Sequence, residues 1–295
     1  MLEAAVAQVR SFNRTVVQSV GALDDRYLSR DRPLGESRVL WEIGTAGRDV
    51  RELRSRLRLD SGYLSRLLRS LERAQLVTLR PDPADRRVRT AQLTPSGRLE
   101  RALLDRRSDD LAGSLLEPLA EPDRVRLVAA MGEVERLLTA ALVDVTVVDP
   151  AHPDAQACLD AYVTELGRLF DDGFDPGRSI PADASDLRAP AGLFLVARLR
   201  GDAIGCGALR FHAAEPAEVK RMWVAESARG LGLGRRLLAE LERHAAANGA
   251  RTLRLETNKN LTAAIALYRS AGFAEVDPFN DEPYAHHWFE KQLAP

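Results

Sequence analysis

Apolar residues recur every third or fourth position through most of the first half of the chain, and strand-like runs take over in the second. Over 3–29, Val6, Val9, Val16, Val17, Val20 and Leu23 lie on one helical stripe. PLGESRVLWEIGTAG, 33–47, opens with Pro33 and closes with Gly44 and Gly47, residues that start and stop a helix. RDVRELRSRLRL, 48–59, carries Val50, Leu53 and Leu57 on one face. Asp60 or Ser61 then caps a longer helix whose Leu64, Leu67, Leu68 and Leu71 form its buried stripe. VTLRPDPADRRVRTAQLT, 77–94, is two short strands around a Pro/Asp turn, a β-hairpin. Two more helical stretches follow, near 95–117 and 121–142.

The texture changes near 144, where VDVTVVDP is β-branched and a Pro/Asp-punctuated stretch follows. Residues 171–191 are rich in turn formers and read as a loop. GLFLVARLRGDAIGCGALRFH reads as two strands joined at Arg200–Asp202, and EVKRMWV as another. A glycine loop and helix come next, then the strand TLRLET, the helix LTAAIALYRSAGF and a last strand, HHWFEKQL. This order predicts two domains, 1–143 and 144–295.

Composition narrows the class. The chain has 295 residues, is 45% hydrophobic and 29% charged, and has a net charge of −1, the profile of a globular two-domain protein. No apolar run approaches the roughly 20 residues that cross a bilayer, and the N-terminus lacks an apolar signal core, so a cytoplasmic protein without membrane contact is expected. Cys158 and Cys206 lie far apart in sequence and have no metal-ligand spacing, so neither a disulfide framework nor a metal site is expected. The charge is uneven. Residues 48–107 hold 16 Arg against 8 acids. A solvated face and an anion-binding surface are both consistent with that run.

The local pattern favours nucleic acid. With its leucines inward, the 61–76 helix presents Ser61, Tyr63, Ser65, Arg66 and Arg69 outward, side chains suited to groove and phosphate contacts. Arg86 and Arg87 sit at the hairpin tip, where a phosphate strand or a narrow minor groove would run. PLGESRVLWEI, DSGYLSRLLRSLERAQLV and RPDPADRRVRTAQLTPSGR together resemble the MarR winged-helix regulators across nearly all of 1–143. The resemblance implies a homodimer with intertwined first and last helices, bound to a pseudo-palindromic double-stranded DNA site.

ARGLGLGRRLLAELE, 228–242, poses a phosphate question. A dinucleotide fingerprint needs G-x-G-x-x-G, and a P-loop needs Lys-Ser/Thr after its last glycine; Gly230-x-Gly232-x-Gly234 followed by Arg235-Arg236 meets neither. What remains is a glycine-lined turn opening a helix, where free N–H groups and the helix dipole favour a diphosphate. In this setting the loop is similar to that of the GNAT acetyltransferases, whose Arg/Gln-x-x-Gly-x-Gly/Ala signature is met by Arg229, Gly232 and Gly234. The resemblance covers about 145–293 and implies an α/β fold with a mixed, splayed central sheet and acetyl-CoA as cosubstrate. Residues 229–235 (Arg229, Gly230, Leu231, Gly232, Leu233, Gly234 and Arg235) would hold its pyrophosphate. The strand around Met222, Trp223 and Val224 would pair with the pantetheine arm, and Tyr268, in NLTAAIALYRSAGF, would protonate the leaving thiolate. The family's asparagine falls on Leu261, a departure, so Asn260 is taken as the CoA-contacting amide.

An amine must lose a proton to attack a thioester, so a carboxylate base is expected: Glu218 first, Glu256 second. A backbone N–H near Met222–Val224 would steady the charge on the acetyl oxygen. His286 and His287 are adjacent in a strand and face opposite ways, which disfavours paired metal ligation and leaves one to line the acceptor pocket. The sequence thus predicts a DNA-binding regulator fused to an N-acetyltransferase acting on a small amine or a protein lysine. The alternative is a regulator whose second domain senses acetyl-CoA or an amine without turnover.

Overall fold

The computed structural model describes residues 2–21, 28, 31–81, 89–180, 182–212 and 216–293. The chain divides into two compact units, Met1–Met131 and Gly132–Pro295. The division falls inside a long helix, α6 below.

The first unit runs α1 (Leu2–Ser19), α2 (Leu34–Ile43), β1 (Arg48–Asp49), α3 (Val50–Leu57), α4 (Ser61–Arg73), β2 (Val77–Pro81), β3 (Arg89–Leu93) and α5 (Pro95–Leu116), with α6 spanning Glu121–Ala141. The expected first helix is shorter than its apolar stripe suggested. It ends at Ser19, and Gly21 turns with φ +61°.

The boundaries of the α3–α4 pair follow from capping. The Asp49 carboxylate accepts the Arg51 and Glu52 N–H groups, and Arg58 turns left-handed at the end of α3. Asp60 then caps α4 through the Tyr63 N–H at 2.8 Å; such a cap contributes about 1 kcal/mol. Leu64, Leu67, Leu68 and Leu71 enter a core with Val39, Leu40, Ile43 and Leu53, as their spacing predicts. The three strands pair antiparallel in the order β1-β3-β2. Thr94 fastens α5 to this wing: its hydroxyl donates to the Gln75 carbonyl and accepts the Gly97 N–H. A Cβ at Gly97 would lie 2.0 Å from the Leu76 oxygen, so only glycine fits.

The second unit contains β4 (Val143–Val148), α7 (Pro153–Leu169), β5 (Gly192–Leu199), β6 (Asp202–Arg210), β7 (Ala217–Val224), a 3-10 turn (Glu226–Ala228), α8 (Leu233–Ala247), β8 (Thr252–Thr257), α9 (Thr262–Ser270), β9 (Ala274–Val276) and β10 (His287–Gln292). The stretch after β4, which reads as punctuated by Pro and Asp, folds as α7. Pro153 occupies its first turn and His152 caps it, which is where proline suits a helix.

The sheet order is β4-β5-β6-β7-β8-β10-β9, antiparallel except for β7 with β8. Strand alternation serves two cores. Leu193, Leu195 and Ala197 of β5 join the α8 face, while Phe194 and Val196 join Ala155 and Cys158 of α7. Cys206 shares the α7 layer, so the two cysteines meet in one buried cluster as free thiols despite their sequence separation. Gly205 and Gly207 let α8 press close: Cβ atoms there would lie 3.3 Å and 3.0 Å from Leu237 and Leu241 carbons.

Two irregularities shape the middle of the sheet. β7 and β8 pair only at Ala217↔Leu253 and Glu218↔Arg254, and past those residues the two parallel strands separate. On the other edge of β7, the register with β6 shifts between Cys206 and Ala208. Arg221 stands opposite this shift with φ +54°, a left-handed residue in a bulge that re-aims the strand beyond it. Cys206 Sγ lies 3.2 Å from the Arg221 carbonyl and braces that turn.

Candidate active site and nucleic-acid surface

Where β7 and β8 part, a cavity of about 760 Å³ opens. Lys220 to Val224 form one wall, Leu255 to Asn258 the other. The starts of α8 and α9 and residues from the 170–180 and 282–285 segments complete the lining.

The glycine loop takes the backbone that its sequence demands. Gly230 and Gly232 have φ +81° and +72°, a region costly for residues with a Cβ. No atom lies within 4 Å of an ideal Cβ on either glycine, so the space above the loop is open. Gly232 caps α8 without a side-chain hydrogen bond. The first backbone bond of that turn runs from Arg236 N–H to Gly232 O, so helix geometry leaves the Leu233, Gly234 and Arg235 N–H groups without intrahelical acceptors. α9 also begins without a side-chain cap, at Leu261. Two positive helix ends therefore border one cavity, an arrangement suited to a phosphorylated ligand.

Arg229 lines the cavity, but its guanidinium already contacts Glu165 of α7, whose other oxygen accepts the Trp223 indole N–H at 2.9 Å. Arg235 also lines it and donates to Ser270 Oγ at 2.8 Å. Met222, Trp223, Val224, Leu233 and Gly234 border the cavity as well. Leu231 does not; it lies partly buried against the core. Asn260 lines the cavity while its amide nitrogen is committed to the Leu169 carbonyl and Asp171. The Asn258 side chain is a loop brace, accepting the Asn260 N–H and donating to the Tyr284 carbonyl.

Tyr268 is 6% exposed and borders the cavity, with its hydroxyl 4.0 Å from Met222 Sδ. Burial, then the nearby Tyr162 and Glu256, pushes its pKa well above the ordinary tyrosine value. The hydroxyl therefore stays protonated. Tyr162, on α7, lines the same cavity, and burial pushes its hydroxyl up to about 12. Neither Tyr162 nor Glu165 was identified from the sequence. Both follow from recognising α7, whose Ala155, Cys158, Tyr162 and Leu166 recur at helical spacing.

The two carboxylates expected as bases part company. Glu218 is 4% exposed and does not line the cavity. One of its oxygens accepts Arg254 at 2.7 and 3.1 Å; the other lies 3.3 Å from His212 and 3.5 Å from Lys220. Burial opposes its charge, but Lys220, Arg254 and His212 together hold its carboxyl below the usual range. Glu256 does line the cavity, held by Lys220 and approached by the Asn280 amide at 3.5 Å. His286 and His287 do not border the cavity; His287 pairs with Glu275 at 2.6 Å. Among the described residues, no cluster of His, Cys, Asp and Glu could hold a metal ion, and no helix is long and apolar enough to cross a membrane.

On α4, Ser61, Tyr63, Arg66 and Arg69 are exposed and Ser65 is half-buried. The Arg66 guanidinium lies over the Tyr63 ring, 5.5 Å from its centroid, which orients both toward one surface. Arg86 and Arg87 lie outside the described residues.

A three-stranded wing beside a capped helix pair defines a winged-helix region. A seven-stranded sheet parted over an open helix N-terminus defines an α/β acyltransferase. Comparison with family models and with a relative of known description agrees. The Acetyltransferase (GNAT) family model matches residues 159–273, and the MarR family model matches residues 31–88. An IAA acetyltransferase of Azospirillum brasilense is 42% identical over 123 residues, which are 41% of this chain and 79% of that protein. A GNAT acetyltransferase from Staphylococcus aureus MU50 aligns with 52% of this chain and 99% of its own, at 16% identity and TM-score 0.45. Wild-type MarR from E. coli aligns with 42% of this chain and 93% of its own, at 24% identity and TM-score 0.39. The chain belongs to the GNAT acetyltransferase family, and a MarR-type winged-helix region precedes its acetyltransferase domain.

Proposed function

We propose that the protein transfers an acetyl group from acetyl-CoA to an amine and that its winged-helix region binds double-stranded DNA. The observation that carries the first part is the parting of β7 from β8 between an uncapped helix start and a buried tyrosine. Acetyl-CoA supplies an activated acyl group as a thioester. The N–H groups of Leu233, Gly234 and Arg235 would receive its pyrophosphate, with Arg229 and Arg235 adding charge and the open space above Gly230 and Gly232 admitting it. Asn260 keeps its side-chain oxygen for this ligand. The edge of β7 at Met222–Val224, unpaired with β8 there, would bond the pantetheine arm, and an N–H beyond the Arg221 bulge would face the acetyl oxygen.

Glu256, rather than Glu218, is positioned to take the amine proton, directly or through one water. The neutral nitrogen then forms the C–N bond as the C–S bond breaks, the Tyr268 hydroxyl gives its proton to the leaving thiolate, and the second proton released from the new amide nitrogen returns, through solvent, to Tyr268. Glu218 stabilises the strand ends where β7 and β8 still pair. The acceptor is a small amine or a protein lysine; IAA, named for the Azospirillum relative, joins the acceptor panel on that likeness alone. Glu256→Gln tests the assignment. It should lower kcat by about a hundredfold or more with the KM for acetyl-CoA unchanged; full turnover would remove Glu256 from the reaction.

For the first unit, the exposed hydroxyl and arginine face of α4 supports insertion into a major groove. A homodimer is supported by α1, which buries no residue and exposes Leu2, Val6, Val9 and Phe12, and by α6, which exposes Val125, Val128, Met131, Leu137 and Leu138. A cytoplasmic setting fits DNA and acetyl-CoA as partners. A gel shift with the DNA upstream of its own gene, repeated as salt rises, tests DNA binding; no sequence-preferring shift at low salt would end that part of the proposal.

A further inference from the structure

The cavity has a wall that the transfer chemistry does not use. Phe170, Phe174 and Tyr284 cluster there, with ring centroids 4.9 to 5.7 Å apart, and all three border the cavity. Glu282 stands beside them, 8% exposed and also bordering it. Its carboxylate accepts Ser179 Oγ at 2.9 Å, the Ile180 N–H at 2.7 Å and the Tyr284 N–H at 3.3 Å. All three donors are neutral, and among the described residues no cation lies within ion-pair range of it. Every other strongly buried carboxylate near the parted strands has such a partner: Glu218 has Arg254 and Lys220, and Glu256 has Lys220. A buried carboxylate without a cation is costly, and ring faces beside it are themselves attractive to positive charge. Arg178 already shows this from outside, its guanidinium 5.7 Å from the Tyr284 centroid.

Asn280 connects this segment to the proposed reacting centre. Its amide nitrogen is 3.5 Å from Glu256, and its oxygen is 3.4 Å from the Glu282 N–H and 2.9 Å from the Trp288 indole nitrogen. Asn280 thus links the Glu256 carboxylate to the Glu282 backbone, and both acidic residues border the same cavity, within which a short alkyl diamine can lie.

Resting on the proposed transfer reaction, we infer that the acceptor is dicationic: one amine is acetylated beside Glu256, and a second positive charge, a few methylenes away, sits against Glu282 and the Phe170–Phe174–Tyr284 wall. Acetyl-CoA-dependent thiol release by the full chain, with 1,4-diaminobutane and butylamine as probes, tests this. The wild type should favour the diamine in kcat/KM by about tenfold. Glu282→Gln, which keeps an acceptor oxygen for the 179–180 segment, should collapse that ratio toward one through the KM of the diamine. Ser179→Ala, which removes a hydrogen bond and leaves the charge, should preserve the ratio. A wild type without preference for the diamine overturns the inference, as does a Glu282→Gln variant that slows both amines alike and keeps the ratio, since a carboxylate that only pins two loops would do that. If no amine releases thiol, the transfer reaction itself fails. Calorimetric titration of 1,4-diaminobutane into the CoA-loaded protein then decides the charge site alone: binding abolished in Glu282→Gln sustains it, and no binding to the wild type overturns it.

Discussion

Replacing Glu218 by glutamine separates a structural carboxylate from a catalytic one. The amide is nearly isosteric but carries no charge, and only its oxygen can accept. Glu218 now receives two guanidinium hydrogen bonds from Arg254 and lies within 3.5 Å of Lys220. The substitution leaves Arg254, 22% exposed, short of a counter-charge, while Lys220 keeps Glu256 alone. Breaking a buried pair by removing one partner costs about 3 kcal/mol or more. For a unit of this size that lowers Tm by roughly 6 to 12 °C. The assay is the thermal transition that shifts with added acetyl-CoA, followed in wild type and variant, with kcat measured well below that transition. The account predicts the Tm loss with kcat retained within about twofold. The pH dependence has a fixed sign. The folded-state pKa of Glu218 is depressed, so its stabilisation is complete above the unfolded carboxyl value and is lost as pH falls through the lowered folded value. The Tm gap between wild type and variant should therefore be full at neutral pH and close in acid. A variant as stable as wild type but with kcat reduced by about a hundredfold would refute the reasoning and return Glu218 to the reaction.

Three further outcomes follow from the same geometry. Tyr268→Phe keeps the ring in its core position, so stability should change little while kcat falls by about a hundredfold in steady-state assays; full turnover removes the hydroxyl from the mechanism. Gly232→Ala forces a Cβ onto φ +72°, which costs roughly 1 to 2 kcal/mol. The loop can relieve that cost only by moving, so the Kd for CoA by calorimetry should rise about tenfold. Arg66→Ala and Arg69→Ala should each weaken DNA binding. If either guanidinium neutralises a phosphate, its removal flattens the salt dependence of the gel-shift constant by about one unit of slope.

What the sequence revealed was local. The leucine stripe of α4, its Asp60 cap, the hairpin and the helix-opening glycines are all short-range patterns, and each recurs in the structure. α7 was hidden because His152-Pro153-Asp154 looks like a turn, although the same three residues are sound helix-start chemistry. With α7 went Tyr162 and Glu165. Glu218 and Glu256 could not be told apart, because both project from strands and only the point at which β7 leaves β8 decides which one meets the cavity. Glu282 and the aromatic wall come from segments about 100 residues apart, and no spacing rule joins them. The site is thus legible where one segment builds it, as at the glycine loop, and illegible where separate loops meet, as at the Phe170–Phe174–Tyr284 wall.

The most direct test of the central claim counts two products in one reaction. Full-length protein is incubated with acetyl-CoA and an amine panel, with free CoA thiol measured colorimetrically and acetylated amine by mass spectrometry. The account predicts thiol release that depends on the amine, matched mole for mole by acetylated product, and slowed about a hundredfold in Tyr268→Phe and Glu256→Gln. Tight binding of acetyl-CoA with no amine-dependent thiol release would contradict it and leave the second domain a sensor.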